Sequence, residues 1–227
     1  MPSLSQLLTR HHRLLVLDAA SQEVQVGLLR DHAPSSWQLT EEEAGTAIFT
    51  CAQALLSDAA LQIGDIGAFV YCEGPGSMLG TRTIAAALRT WQVLLPRPAY
   101  AYQSLAVAGR FEWTTCAPRS FTVVADARRD TWHCQQVEAS GRMPALQRIP
   151  ASALPAGELV TPEKFRSWAP PPRAVAVCRY DLAKILPAIA DVDLFVQVDA
   201  PDTFQHESPT YKKWSAQIHS VMTADQK

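Results

Sequence analysis

Three glycines, Gly74, Gly76 and Gly80, stand within the segment EGPGSMLGTR, residues 73–82. The run before it, residues 66–72 (IGAFVYC), is apolar and β-prone. After it, Ile84, Leu88, Trp91 and Leu95 recur at helical spacing. Glycine admits positive φ and close backbone approach, and a helix start presents unpaired N–H groups in a positive field. A phosphate or carboxylate could rest there, with the Ser77 hydroxyl and the Arg82 guanidinium at hand. The loop is not a Walker A sequence, which needs a lysine it lacks. It reads GxGxxxG rather than GxGxxG, and the next strand carries Tyr100-Ala101-Tyr102 with no acid for a ribose. Ser77 is flanked two residues away by Pro75 and Leu79, not by the glycines of a nucleophile elbow. The competing reading is structural: the glycines make a tight turn that lets the helix pack on its strand. Residue types leave both readings open.

Metal and thiol chemistry have less support. The six histidines, His11, His12, His32, His133, His206 and His219, form neither HxxxH nor HExxH. The five cysteines are an odd count at wide spacing with no CxxC pair, so neither a disulfide framework nor a zinc ribbon is expected.

With 48% hydrophobic and 19% charged residues, the 227-residue chain has ordinary globular composition, which excludes wholesale disorder. The formal charge of −2 gives no global field for nucleic acid or anionic membrane and leaves only a local basic patch open. No apolar run reaches the roughly 20 residues of a membrane span. A soluble protein of a reducing, cytoplasmic compartment is expected.

The elements that must position the glycine loop follow from periodicity. Residues 13–19 (RLLVLDA) read as a strand buried on both faces. A polar break at Ser21-Gln22 leads to a second strand, with Val24, Val26 and Leu28 alternating. Thr40-Glu41-Glu42-Glu43 matches a capping box, predicting a helix over residues 41–57 with Thr40 as its N-cap. Strand 66–72, helix 81–95, strand 99–102 and a short helix over 104–108 complete an α/β layer unit. The second half opens with strand 121–125, the turn Asp126-Ala127-Arg128-Arg129-Asp130 and a returning strand 131–137. Beyond it, strands are expected near Leu159, at 174–177 and at 194–198. Helices are expected after Thr161-Pro162 and near 182–189. Residues 1–12 read as a polar extension, 13–110 as a first lobe, 111–205 as a reduced second lobe. Residues 206–227 read as a C-terminal segment packing back on the first lobe.

The segments LLVLDAAS, IGAFVYCEGPGSMLGTR, QSLAVA, VVADARRDTW and SPTYKKW stand in the order found in the TsaB family, also called YeaZ. The chain resembles that family best over residues 13–137. It departs from the pattern at Glu73, at Met78-Leu79 where Phe-Thr is usual, in DAAS for DTS, and at Lys212-Lys213. The resemblance implies an actin-like (ASKHA, ribonuclease H-like) α/β fold of two lobes, each a mixed sheet with flanking helices. It further implies kinship with proteins named M22 glycoproteases.

Family members are accessory subunits in tRNA threonylcarbamoyladenosine synthesis. The catalytic sister, TsaD, holds a metal through HxxxH on an early helix; helix 41–57 here contains no histidine, so no metal ligand is assigned. The resemblance therefore implies a non-catalytic scaffold that partners a TsaD homologue and the ATPase TsaE. It implies a homodimer when alone and contact with tRNA only through the complex. The family dimerises through two first-lobe helices, which assigns Phe49, Leu56, Thr81, Ile84, Leu88 and Trp91 as interface candidates. Actin-like ATPases cradle phosphates on one strand turn per lobe. Here those turns carry Asp18 and Ser21, then Asp126, Arg128 and Arg129, and both lack glycine. No tightly bound cofactor is expected, with ATP or ADP confined to a partner interface. The alternatives are a standalone nucleotide-dependent transferase, using Asp18 or Asp126 to position a Mg²⁺-nucleotide, and an M22-type peptidase homologue.

Overall fold

The computed structural model describes residues 1–116 and 118–205. In chain order it comprises α1 (Leu4–His11), β1 (Arg13–Asp18), β2 (Val24–Arg30), β3 (Ala33–Thr40), α2 (Ala44–Asp58) and β4 (Ala68–Gly74). There follow α3 (Met78–Leu94), β5 (Ala99–Gln103), α4 (Ser104–Thr115), β6 (Phe121–Asp126), β7 (Thr131–Val137), β8 (Gln147–Pro150), β9 (Glu158–Pro162), β10 (Ala176–Cys178), α5 (Leu182–Ala188) and β11 (Val196–Val198).

The two sheets repeat one plan. The first runs β11-β5-β4-β1-β2-β3, the second β10-β9-β6-β7-β8. In each, an antiparallel three-strand meander is extended by two parallel strands on the side of its first member: β4 and β5 beside β1, β9 and β10 beside β6. This α/β architecture of two mixed sheets and flanking helices meets the sequence expectation.

β1 is buried on both faces, as its unbroken apolar run requires. Leu15 and Leu17 join the core under α2 and α3. Leu14 and Val16 join the core on the opposite face, with α1, α4, α5 and the inner face of the second sheet. One continuous apolar layer thus links the two halves. Gly27 on β2 is fixed by packing, since a Cβ there would lie 2.6 Å from the Trp37 ring.

Four sequence expectations are corrected. Residues 1–12 are not a polar extension: α1 buries Leu4 and Leu7, and its capping box pairs Ser3 with Gln6. Its apolar face is too short to stand out among eight mostly polar residues. Helix α2 starts at Ala44, not at 41. Thr40 ends β3, paired with Val24, and its hydroxyl accepts from Glu42 N–H instead of capping the helix. No helix follows Pro162; Lys164 turns there with φ 60° and bridges Glu23 and Glu41 of the first half at 3.0 and 2.9 Å. Strand β11 returns to the first sheet, antiparallel to β5, so 111–205 is not wholly second-half structure. The segment 206–227, SPTYKKW included, lies outside the described residues. No helix among the described residues is long and apolar enough to cross a membrane.

Candidate functional site

Asp18 ends β1 at the junction of the two halves and is fully buried. Its Oδ1 accepts from Ala20 N–H at 2.8 Å. Its Oδ2 accepts from Tyr102 Oη on β5 at 2.7 Å and from Tyr180 Oη, which precedes α5, at 2.8 Å. Burial pushes the Asp18 carboxyl up from its ordinary value, against the pull of Ala20, Tyr102, Tyr180 and the Cys72 thiol. Burial, and then the neighbouring Asp18 charge, likewise raise Cys72, Tyr102 and Tyr180. Buried Gln25 on β2 completes the cluster, donating to Tyr180 C=O at 2.8 Å and accepting from Leu182 N–H at 2.9 Å. The cluster is a polar bridge between the halves, with every oxygen of Asp18 used internally. Ser21 closes its own turn, donating to Glu23 C=O and accepting from Glu23 N–H.

The glycine loop packs directly on that turn. A Cβ on Gly76 would lie 2.3 Å from Ala20 O, and one on Gly80 2.1 Å from Ala19 O. Gly74 adopts φ 117°. Ser77 N–H donates to Ala20 C=O at 2.7 Å. The Ser77 hydroxyl accepts from Gly80 N–H at 3.2 Å, so this serine is the N-cap of α3. The structural reading therefore accounts for the glycines: they let the loop pack closely against residues 19–20 of the Asp18 turn. Arg82 is exposed on α3. Both Asp18 oxygens are thus engaged within the chain, and the loop packs on the Asp18 turn.

In the second half, the Asp126 carboxylate is also consumed by the fold. Oδ1 accepts from Arg128 N–H at 2.6 Å; Oδ2 accepts from Trp168 N–H at 2.7 Å, Ala169 N–H at 3.0 Å and the Ser167 hydroxyl at 3.3 Å. Partial burial raises this carboxyl, but the hydrogen bonds outweigh burial and leave it below its ordinary value. The carboxylate anchors an unusual turn. Arg128, Arg129 and Asp130 have φ 65°, 51° and 56°, each non-glycine left-handed residue costing on the order of 1 kcal/mol. The Arg128 guanidinium lies 4.2 Å from the Trp168 ring centroid. A cavity of about 260 Å³ opens between this turn and residues 168–169.

The helix candidates separate by burial. Ile84 and Leu88 are fully buried, Thr81 and Leu56 nearly so; all four belong to the interior, because α2 packs on β2 and β3 and α3 on β4 and β1. They are corrected from interface to core. Phe49, 44% exposed, meets the edge of the Trp91 ring at 5.5 Å, and Trp91 stacks on buried Phe69. These two rings border a groove of about 300 Å³ between α2 and the segment after it. Met78 and Leu79 at the start of α3 are 56% and 70% exposed and were not assigned to a surface from sequence. Also beyond sequence reasoning were Tyr102, Tyr180, Gln25 and Trp168, distant in sequence from the turns they complete. Gln25 alone left a signal, as an amide inside an otherwise apolar strand. Among the described residues, no group of three His, Cys, Asp or Glu side chains could hold a metal ion.

No family model matches the chain, and no curated protein matches it. Solved structures do. A Pseudomonas aeruginosa protein described as similar to the peptidase YeaZ aligns with TM-score 0.58 and 22% identity, covering 78% of this chain and 89% of that one. YeaZ from Pseudomonas aeruginosa aligns with TM-score 0.59 and 21% identity, covering 78% and 90%. This chain has the YeaZ fold. The likeness establishes the architecture, a pair of mixed sheets with flanking helices.

Proposed function

We propose that this chain is a TsaB-type scaffold subunit, without catalysis of its own, that partners a TsaD homologue in forming N6-threonylcarbamoyladenosine in tRNA. The observation that carries the reading is the fold, shared with YeaZ over 78% of this chain. Within that fold the Asp18 carboxylate is spent on Ala20 N–H and the Tyr102 and Tyr180 hydroxyls, and the glycine loop packs on its turn, which supports a structural role for both. A chain whose turn acid and glycine loop serve its own packing is suited to support a partner's chemistry. The exposed apolar residues Phe49, beside Trp91, and Met78 and Leu79, at the start of α3, supply surface for that partner, or for a second copy when the partner is absent. Nucleotide would then belong to the partner interface and to the ATPase TsaE, and tRNA would be engaged through the assembled complex in the cytoplasm.

The test is co-elution on size exclusion with the TsaD homologue of the same genome, with and without ATP. A stoichiometric complex, lost in Leu79→Glu, supports the proposal. Nucleotide-dependent turnover by this chain alone would overturn it in favour of a standalone transferase.

A further inference from the structure

The second-half turn is built at a cost that the fold itself does not use. Three consecutive residues are held left-handed, and one carboxylate, Asp126, spends all its hydrogen bonds holding them against residues 167–169. What this displays is a guanidinium and an indole. Arg128 and Arg129 are exposed, and Trp168 remains 49% exposed with the Arg128 guanidinium in place over its ring. Two more cations border the turn. Arg148 reaches it through Thr131 Oγ1 at 2.9 Å and Ala127 C=O at 3.2 Å, and Arg166 lies next to Ser167. Among the described residues, none of these four arginines forms an ion pair with a carboxylate. Asp130 is the one other acid of the turn, so the surface is locally positive on a chain of net charge −2.

We propose that this cavity binds single-stranded RNA, with a base stacked on Trp168 and the flanking phosphates held by Arg128 and Arg129. An exposed indole beside guanidiniums matches a ligand that alternates aromatic planes with anions. An acidic peptide would use the arginines and leave the indole idle. A cavity of about 260 Å³ is smaller than the roughly 300 Å³ at which pockets for whole drug-sized ligands begin, and suits one stacked nucleotide of a longer strand. Stacking is tolerant of base identity, so weak sequence preference and strong salt dependence follow. The inference goes beyond the scaffold reading, because it gives this chain an RNA contact that needs no partner.

The experiment is fluorescence anisotropy of a labelled, mixed-sequence single-stranded oligoribonucleotide with the purified full chain, titrated at several salt concentrations. Trp168→Ala should weaken binding by about 5-fold or more, and Trp168→Phe should recover most of the loss. Arg129→Gln should lower the slope of log affinity against log salt by about 0.7. Arg142→Gln, which removes an exposed arginine already paired with Glu138, should change neither. Trp168 and Arg129 are exposed, so both variants should melt with the parent chain; were Trp168→Ala to melt early, Arg129→Gln and Trp168→Phe would still decide. Absence of binding at low salt would overturn the proposal. So would affinity indifferent to both Trp168→Ala and Arg129→Gln, or a polyglutamate competitor that binds as tightly as RNA and with the same dependence on Trp168. A missing TsaD partner would leave every one of these readings untouched.

Discussion

Asp18 shows how one carboxyl can be removed from chemistry and put to structural use. Its two oxygens satisfy an N–H of its own turn and two phenols from distant parts of the chain. Asp18→Ala would strand buried tyrosine hydroxyls, and we expect a loss of about 2–4 kcal/mol in urea unfolding. The acid also links stability to pH. Its native pKa is raised, so the folded state holds a proton that the unfolded state has already released. That contribution is complete below the ordinary carboxylate value and is lost as pH rises through the raised native value. The unfolding midpoint of the parent chain should therefore fall with rising pH through that window relative to Asp18→Asn, which carries no titrating group there. A parallel pH profile in the two proteins would contradict the assignment. None of this was legible in the sequence: Asp18 was recognisable as a turn acid, but Tyr180 is 162 residues away from it. Asp126 was found the same way and shares the fate, with Trp168 as the unforeseen neighbour.

At the scale of elements, periodicity told most of what it could. The strand–glycine loop–helix unit lies where the spacing puts it, and the loop glycines have a definite task. Gly80→Ala places a methyl group 2.1 Å from the Ala19 carbonyl, a backbone atom with little room to retreat. We expect Gly80→Ala to cost on the order of 3 kcal/mol, measured by denaturant midpoint, whether or not any ligand is present. A near-neutral Gly80→Ala would mean that α3 can slide away from the turn. Reading failed where an element was short or its capping residues had other work. Leu7→Ala should cost about 2–5 kcal/mol, the value of a buried leucine, where a true polar extension would give nothing. Thr40-Glu41-Glu42-Glu43 has the right letters for a capping box, but pairing with Val24 holds Thr40 in the sheet. Local pattern lost to tertiary pairing there.

For the molecule as a whole, the duplicated strand order was visible only as two strand–turn–strand openings containing an acid. The sequences between them have diverged too far to read as a repeat. Which apolar helix residues face outward was the least legible property, since a stripe gives spacing but not the side on which another element will settle. Phe49 is on the surface and Ile84 in the core, though both belong to amphipathic patterns. Phe49→Asp and Leu79→Glu should leave the melting temperature within a few degrees and abolish association with the TsaD homologue or with a second copy, read by size exclusion with light scattering. Retained association in both variants would place the contact elsewhere.

The first and last parts of the described chain are tied together. Ser5 N–H donates to Ala190 C=O, Phe195 N–H to Pro2 C=O, and β11 closes the edge of the sheet that β1 begins. A ribosome releases these partners about 180 residues of synthesis apart. The opening helix has nowhere to dock, and the Asp18 carboxyl lacks one of its phenols, until residues near 180–198 have emerged. Folding of the first half therefore waits on synthesis of the second, with its edge strand open in the meantime. A nascent chain halted near residue 110 should be protease-sensitive throughout, and released into solution it should aggregate through that edge.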